Sequence, residues 1–356
     1  MIFSFIIILL LFQITYYLFF LYYFNKKSQL DSTTYTPSIS VIICAKNEAE
    51  NLKNNIPKIA QQTYSDFEII VIDDNSTDKT SIVLEQLKSS ISNLKSIKIS
   101  EHEKIGKGKK FIISEAVKIA NNEVLVFTDA DCFPASNNWL KIMAQHLFNY
   151  EIVLGIAPLI PKGNNLVAWL QTYETAQTML QYISLSNSGN TYMAVGRNMM
   201  LRKTTYLQNL WSETELEIAS GDDDLLIQKI ATSNNTNTCT NANTFMLSSA
   251  KENYSQWIQQ KIRHFSAGFL YLPKYKFLLS IFLSTKILFY FLALINQNFI
   301  LLLAYIFFQQ CLYFFIQYKY KIRTEWQKIA LLDFLLVANS IILGLSNQFN
   351  IKNRWK

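Results

Sequence analysis

Two acids, Asp129 and Asp131, end the apolar, strand-like run in "LVFTDADCFPAS" at residues 125–136. Side chains alternate sides along an extended segment, so these two carboxylates point the same way. At a separation of ~6–7 Å and an effective dielectric near ~20, they repel by roughly 2–3 kcal/mol when both are ionised. A cation removes that cost. The spacing suits a hard divalent metal held by one or two carboxylates, with a nucleotide diphosphate completing its shell. A solvated turn with fortuitous acids is the plain alternative.

Other stretches carry groups that chemistry uses. "GDDDLL" at 221–226 places three consecutive acids at a helix start, where the helix dipole favours them. A catalytic role there needs one carboxylate to act as a general base toward an acceptor hydroxyl. "KIGKGKKF" at 104–111 sets basic residues beside glycines ahead of a helix, and "SQWIQQKIRHFSAG" at 255–268 carries Gln260 and Arg263 on a helical stretch.

These groups need a scaffold, and the hydropathy supplies one. Residues 38–44, 67–74, 94–100 and 124–128 read as strands, with helices at 47–62, 77–88 and 109–120 between them. Strands separated by helices indicate parallel βαβ units, whose ligands sit beyond the carboxyl ends of the strands. Three such ends carry polar residues: "AKNE" with Glu48, "DDNSTD" with Asp73 and Asp74, and "DAD". Either Asp73 or Asp78 could instead cap the helix near Thr77. Farther on come a strand at 152–157, an amphipathic helix at 167–185, a loop "YMAVGRNMM" at 192–200, and an Asn/Thr-rich surface loop at 234–243.

From about residue 38 to 268 the chain resembles the family 2 glycosyltransferases, inverting membrane-associated enzymes that use nucleotide sugars on a GT-A fold. The opening "SVIICAKNEAENLKNNIPKIAQQTYSDFEIIVIDDNSTDKT" matches the family's N-terminal signature, "DAD" its metal-binding motif, and "GDDD" followed by "QQKIR" its later acid and arginine. The resemblance implies an α/β, Rossmann-like GT-A domain with a mainly parallel sheet. It implies Mg²⁺ or Mn²⁺ on Asp129 and Asp131, with Asp129 also at the donor. Glu48 and Asp74 would contact uridine or ribose, with Asp73 as the alternative to Asp74, and Lys109 or a neighbour would serve the donor. The family pattern lays the general base on Asp223, with Asp222 in support and Asp224 solvated. The helix dipole is expected to keep Asp223 ionised by depressing its pKa. Gln260 and Arg263 fit the QxxRW motif, and Arg263 would stabilise the diphosphate leaving group. His264 stands where that motif usually has Trp, which argues against processive synthesis. The donor is expected to be a UDP-sugar and the acceptor a lipid or lipid-linked glycan. A processive polysaccharide synthase is the nearer alternative, and a catalytically silent nucleotide-sugar-binding membrane scaffold the more distant one.

The flanks point to a membrane. Residues 1–24 have no charged side chain and read as an uncleaved anchor; 277–318 holds one charge, Lys286, and divides into spans at 277–295 and 299–318. A last apolar segment, 329–345, contains Asp333 and Asn339 and is read as a span or a re-entrant segment. Lys26 and Lys27 behind the anchor place the 36–268 domain in the cytoplasm, at the inner membrane, by the positive-inside rule. Basic residues in the tail 351–356 suggest that it is cytoplasmic too. The net charge of +7 is explained by such flanks, and no basic stripe with interleaved aromatics suggests nucleic acid. The four cysteines are widely spaced, which suits a reducing compartment without structural zinc.

Overall fold

The computed structural model of the protein describes residues 1–26, 34–106, 108–218 and 220–348. In chain order, the first half holds α1 (Ile2–Asn25), β1 (Ile39–Ala45), α2 (Ala49–Ala60), β2 (Phe67–Asp74), α3 (Thr80–Ser90), β3 (Leu94–Ile99), α4 (Lys110–Ile119), β4 (Val124–Asp129), β5 (Cys132–Pro134) and α5 (Trp139–Leu147). Next come β6 (Ile152–Leu154), β7 (Leu159–Ile160), α6 (Leu166–Asn187), β8 (Met199–Arg202), α7 (Lys203–Leu207), α8 (Glu213–Leu216), α9 (Asp224–Ile230), β9 (Thr236–Thr238) and β10 (Met246–Ser249). The chain then runs through α10 (Tyr254–Gly268), α11 (Pro273–Ile295), α12 (Phe299–Tyr320) and α13 (Ile329–Gln348). Among the described residues, 34–157 and 189–249 form one compact unit, and 1–26, 158–188 and 250–348 form another.

The first unit is a mixed α/β fold on a seven-stranded sheet of order β3-β2-β1-β4-β8-β6-β9. Strand β1, "ISVIICA", is buried along its whole length, as an apolar, β-branched run covered on both faces must be. Leu52, Ile56 and Ile59 of α2 pack onto this core. The pairs among β3, β2, β1 and β4 are parallel. Cys44 pairs with Asp129 across β1–β4, and Ala45 with Asp73 across β1–β2, so these strands end level with one another. Chain order reverses direction between β1 and β4, which opens the crevice where such sheets take ligands.

The expected mainly parallel sheet is present, with two differences from the sequence reading. The stretch 192–200 ends in β8, which lies between β4 and β6 and is antiparallel to both. Four residues following a Gly-Arg-Asn turn are too short to show a period-2 pattern. The Asn/Thr-rich segment is not all surface loop: β9 is buried and pairs parallel with β6. Asn237 is tolerated there because its amide donates to the His146 carbonyl at 2.9 Å and its Oδ1 accepts from Thr238 N at 2.9 Å.

The other unit gathers α1, α6 and α10–α13, so the helix at 166–187 and the helix of Gln260 and Arg263 group with apolar helices and not with the sheet. Helix α6 is buried on several faces, and its Ser184 donates to Phe20 O of α1 at 2.6 Å. Helices α1, α11 and α12, and the stretch Trp326–Gly344, are each long and apolar enough to cross a membrane. Gln13 of α1 donates to Thr285 Oγ1 (2.8 Å) and Phe282 O (3.1 Å) of α11.

Asp333, which weakened the last span on paper, meets Lys286, the one charge of 277–318. Lys286 and Asp333 are both 1 % exposed and form an ion pair, with Tyr290 and Tyr173 each donating to Asp333 at 2.7 Å. Asn339 likewise accepts from Tyr254 and donates to Leu335 O at 2.9 Å. Asp333→Leu alone would strand Lys286 and is expected to destabilise the protein by about 3–5 kcal/mol, whereas Lys286→Met with Asp333→Leu is expected to recover most of that. Thermal melts of the detergent-solubilised variants test this; a double variant no better than the single one contradicts it. The tail 351–356 lies outside the described residues.

Candidate active site

The strand ends of the α/β unit are built by loops that cap each other. Asn47 and Asn75, just past β1 and β2, adopt left-handed φ values of 57° and 51°, a conformation Asn tolerates. Asn47 Oδ1 accepts from Thr77 N at 2.9 Å, Asn47 N donates to Ser76 Oγ at 2.9 Å, and Glu48 N donates to Thr80 Oγ1 at 2.9 Å. Asp78 takes the capping part, accepting from Thr80 N (2.9 Å) and Ala49 N (3.3 Å). Asp73 is also turned inward: its oxygens accept from Ser76 N at 2.9 Å and Ser81 Oγ at 2.6 Å. Asp74 is fully buried and gripped at both oxygens by Lys104, at 2.9 and 2.8 Å, with Lys46 3.8 Å away. Glu48 is half-buried, and its carboxylate accepts from Asn51 at 2.5 Å.

Asp129, the last residue of β4, and Asp131, in the turn before β5, come together, closer than extended alternation would hold them. One ligand atom from each, and the sulfur of Cys132, lie within 4.8 Å of one another. Lys109 Nζ donates to Asp129 Oδ1 at 2.6 Å. Burial alone would lower the Lys109 pKa, but Asp129 and Asp222 outweigh it and raise it. Burial pushes the Cys132 thiol well up, and its Sγ donates to Asp131 Oδ1 at 3.2 Å, so it is a protonated neighbour of the pair. Two half-buried carboxylates without a thiolate are a hard oxygen donor set, which fits Mg²⁺ or Mn²⁺ and leaves coordination positions for diphosphate oxygens and water.

Asp223 is the N-cap of α9; its Oδ1 accepts from Asp224 N at 2.8 Å and its Oδ2 from Gly196 N at 2.9 Å. A Cβ on residue 196 would come within 3.1 Å of that Oδ2, so the loop reaches the acid closely because it is glycine. The expected depression of the Asp223 pKa is not found. Burial, followed by the charge of Asp222, pushes it up to about 6, against the two backbone N–H bonds. A seven-residue helix cannot offset burial beside a like charge. Asp224 is not simply solvated either, since its Oδ1 is buried. Gln260 and Arg263 are half-buried, three residues apart on one face of α10, in the other unit.

Residues 40–208 match the family described as glycosyl transferase family 2. Over that segment the chain is similar to the family 2 glycosyltransferases. Glycosyltransferase AglE of Haloferax volcanii is 31 % identical over 111 residues, which is 31 % of this chain and 35 % of that protein. The GalNAc(5)-diNAcBac-PP-undecaprenol beta-1,3-glucosyltransferase of Campylobacter jejuni is 29 % identical over 128 residues, 36 % of this chain and 40 % of its own. The chain thus spans about a third to two fifths of the length of these curated relatives. Among solved structures, a mannosyltransferase of Pyrobaculum calidifontis in complex with GDP-Man and Mn²⁺ superposes over 98 % of this chain and 99 % of its own, with a TM-score of 0.64 and 17 % identity. That likeness establishes the shared GT-A fold.

Asp129 and Asp131 lie inside the matched segment, and Asp223, Gln260 and Arg263 lie beyond it. Within that segment, three basic residues escaped the sequence reading as site residues. Lys46 and Lys104 neutralise Asp74, and their signal was only their place in "AKNE" and "KIGKGKK". Arg197, in the loop before β8, donates to Ser248 Oγ at 2.5 Å and Ala157 O at 3.2 Å. Its partners are far away in sequence, so no local pattern announces it.

The raised Asp223 pKa has a sign that can be checked. A base works ionised, so with Asp223 as the base the turnover number is expected to rise with pH up to about 6 and then level off. Because the folded value lies above 3.8, the group favours the folded state below that pH and loses this contribution as pH rises through about 6. A turnover number that is flat from about pH 4.5 to about 7.5 would contradict the assignment.

Proposed function

We propose that this protein is an inverting glycosyltransferase that moves a sugar from a nucleotide-sugar donor, a UDP-sugar, to a lipid or lipid-linked glycan at the cytoplasmic face of the inner membrane. The observation that carries this is the convergence of Asp129, Asp131 and Lys109 at the level ends of parallel strands in a segment similar to the family 2 glycosyltransferases. Asp129 and Asp131 would hold Mg²⁺ or Mn²⁺, which when bound supplies positive charge to the diphosphate leaving group. Lys109 lies ready to move from Asp129 to a phosphate oxygen. Asp74 and Glu48 would contact the nucleoside, with Asp73 as the alternative to Asp74; both aspartates are buried and bonded at both oxygens, so their bonding does not separate them.

Asp223 takes the proton from the acceptor hydroxyl as that oxygen attacks the anomeric carbon. A carboxylate with a pKa near 6 is a better proton acceptor than an ordinary one and is still ionised at neutral pH. Gly196 N and Asp224 N hold it in place. Arg263, with Gln260 beside it on α10, receives the departing diphosphate. One displacement inverts the anomeric centre. Four helices long and apolar enough for a membrane among the described residues, and a relative named for an undecaprenol-linked acceptor, support a lipid-borne substrate.

Purified protein in detergent, given UDP- and GDP-sugars in turn with Mn²⁺ and a membrane lipid extract, tests the reading. Nucleotide release from one donor class, stimulated by the lipid, is expected; no release from any donor would overturn it.

A further inference from the structure

Helix α4 is entered by two consecutive lysines with different partners. Lys109 pairs with Asp129. Lys110, 1 % exposed, donates from its ammonium to the carbonyl oxygens of Glu215 (3.0 Å), Ile218 (3.0 Å) and Ser220 (2.9 Å). An ammonium has three protons to give and nothing with which to accept, so three carbonyls saturate it. Those carbonyls belong to the end of α8 and to the turn that runs directly into Gly221, Asp222 and Asp223.

The same turn is gripped from its other side. Lys229 of α9 pairs with the Glu215 carboxylate, and the Trp211 ring lies 5.0 Å from the Lys110 ammonium and 4.9 Å from that of Lys229. The backbone of the preceding loop also presses on α8. A Cβ on Gly106, whose φ is +76°, would come within 2.4 Å of the Leu216 carbonyl oxygen. Burial brings the Lys110 pKa down to about 8, with Asp222 and Glu215 opposing, so the clamp is still charged at neutral pH.

We propose that Lys110 is a positioning residue for the base: by holding the carbonyls of Glu215, Ile218 and Ser220 it sets where Asp223 stands, and it ties them to the helix whose neighbouring lysine engages the metal-site acid. This rests on the reading of Asp223 as the base. Lys110 itself touches neither donor nor acceptor. Loss of its charge should therefore leave nucleotide binding intact and displace only the acid.

The Gly196 amide reports this directly, because its hydrogen bond ends on Asp223 Oδ2 and its loop makes no bond to Lys110. Hydrogen exchange of the full chain in detergent is compared for wild type, Lys110→Met and Lys110→Gln. The methionine variant is expected to exchange the Gly196 amide and the 213–218 and 220–224 amides about tenfold faster or more, while the amides of β1, β2 and β4 exchange as in wild type. Its UDP affinity with Mn²⁺ is expected to match wild type while the turnover number for nucleotide release from UDP-glucose, UDP-N-acetylglucosamine and GDP-mannose supplied together falls. The glutamine variant, able to reach fewer carbonyls, should lie between; it decides the matter if the methionine variant does not fold. Wild-type exchange at Gly196 in the folded variants, or UDP affinity lost in step with turnover, would overturn the proposal. Asp223→Asn is assayed alongside: if it is active, the base reading fails, whereas if it is dead and Lys110→Met turns over normally, only the role of Lys110 fails.

Discussion

Asparagine at position 223 is expected to cut glycosyl transfer by roughly 10²–10⁴-fold, the scale of a lost general base, while nucleotide affinity stays within about twofold of wild type. The amide keeps one of the two oxygens, enough for Asp224 N, so the helix cap survives while the bond from Gly196 N is lost. On the proposed mechanism, it removes the site for the acceptor's proton. Asp222→Asn should be milder, acting through the charge that helps raise the Asp223 pKa, and should move the acid limb of the pH profile downward. Near-normal turnover in Asp223→Asn, with Asp222→Asn or Asp224→Asn dead, would move the base to another member of the acidic triplet.

Asp131→Asn should have a different signature. It preserves shape and takes away one anionic ligand, so metal-dependent nucleotide binding and turnover should weaken together, turnover by roughly 10²–10³-fold. The fold should persist, because Asp131 is half-buried and, among the described residues, its carboxylate accepts from the Cys132 thiol, a bond that an amide oxygen can also accept. Calorimetric titration of UDP with and without Mn²⁺ separates the two variants: Asp131→Asn loses the metal-dependent increment and Asp223→Asn retains it. A fully active Asp131→Asn variant in excess chelator would contradict the metal assignment.

Much of this was legible in the residues, for physical reasons. Strands β1, β2 and β4 are continuous apolar runs ending in acids, and helices between them force the parallel arrangement that levels those ends. Asp129 and Asp131 stand one residue apart, so their nearness was legible, although the structure brings them together through the turn between β4 and β5 and not along a strand. Less legible was whatever depended on distant partners. β8 is short and β9 polar, so neither could be seen without the neighbours that bury them. The charge in each of two apolar helices looked like a defect until Lys286 and Asp333 were seen to meet. The sign of the Asp223 shift was misjudged because the helix dipole is visible in the sequence, whereas burial beside Asp222 is a tertiary fact. Lys110 looked like one more basic loop residue, and only the fold shows where its ammonium ends.

Transfer of radiolabelled sugar into the lipid fraction tests the account most directly. Each labelled nucleotide sugar is incubated with the full-length protein, Mn²⁺ and a membrane lipid extract, then partitioned between organic and aqueous phases. The account predicts label in the organic phase from a UDP-sugar, inverted at the anomeric carbon, absent with chelator and absent in Asp131→Asn and Asp223→Asn. Label accumulating instead in long polymer, or organic-phase label undiminished in Asp223→Asn and in chelator, would contradict it.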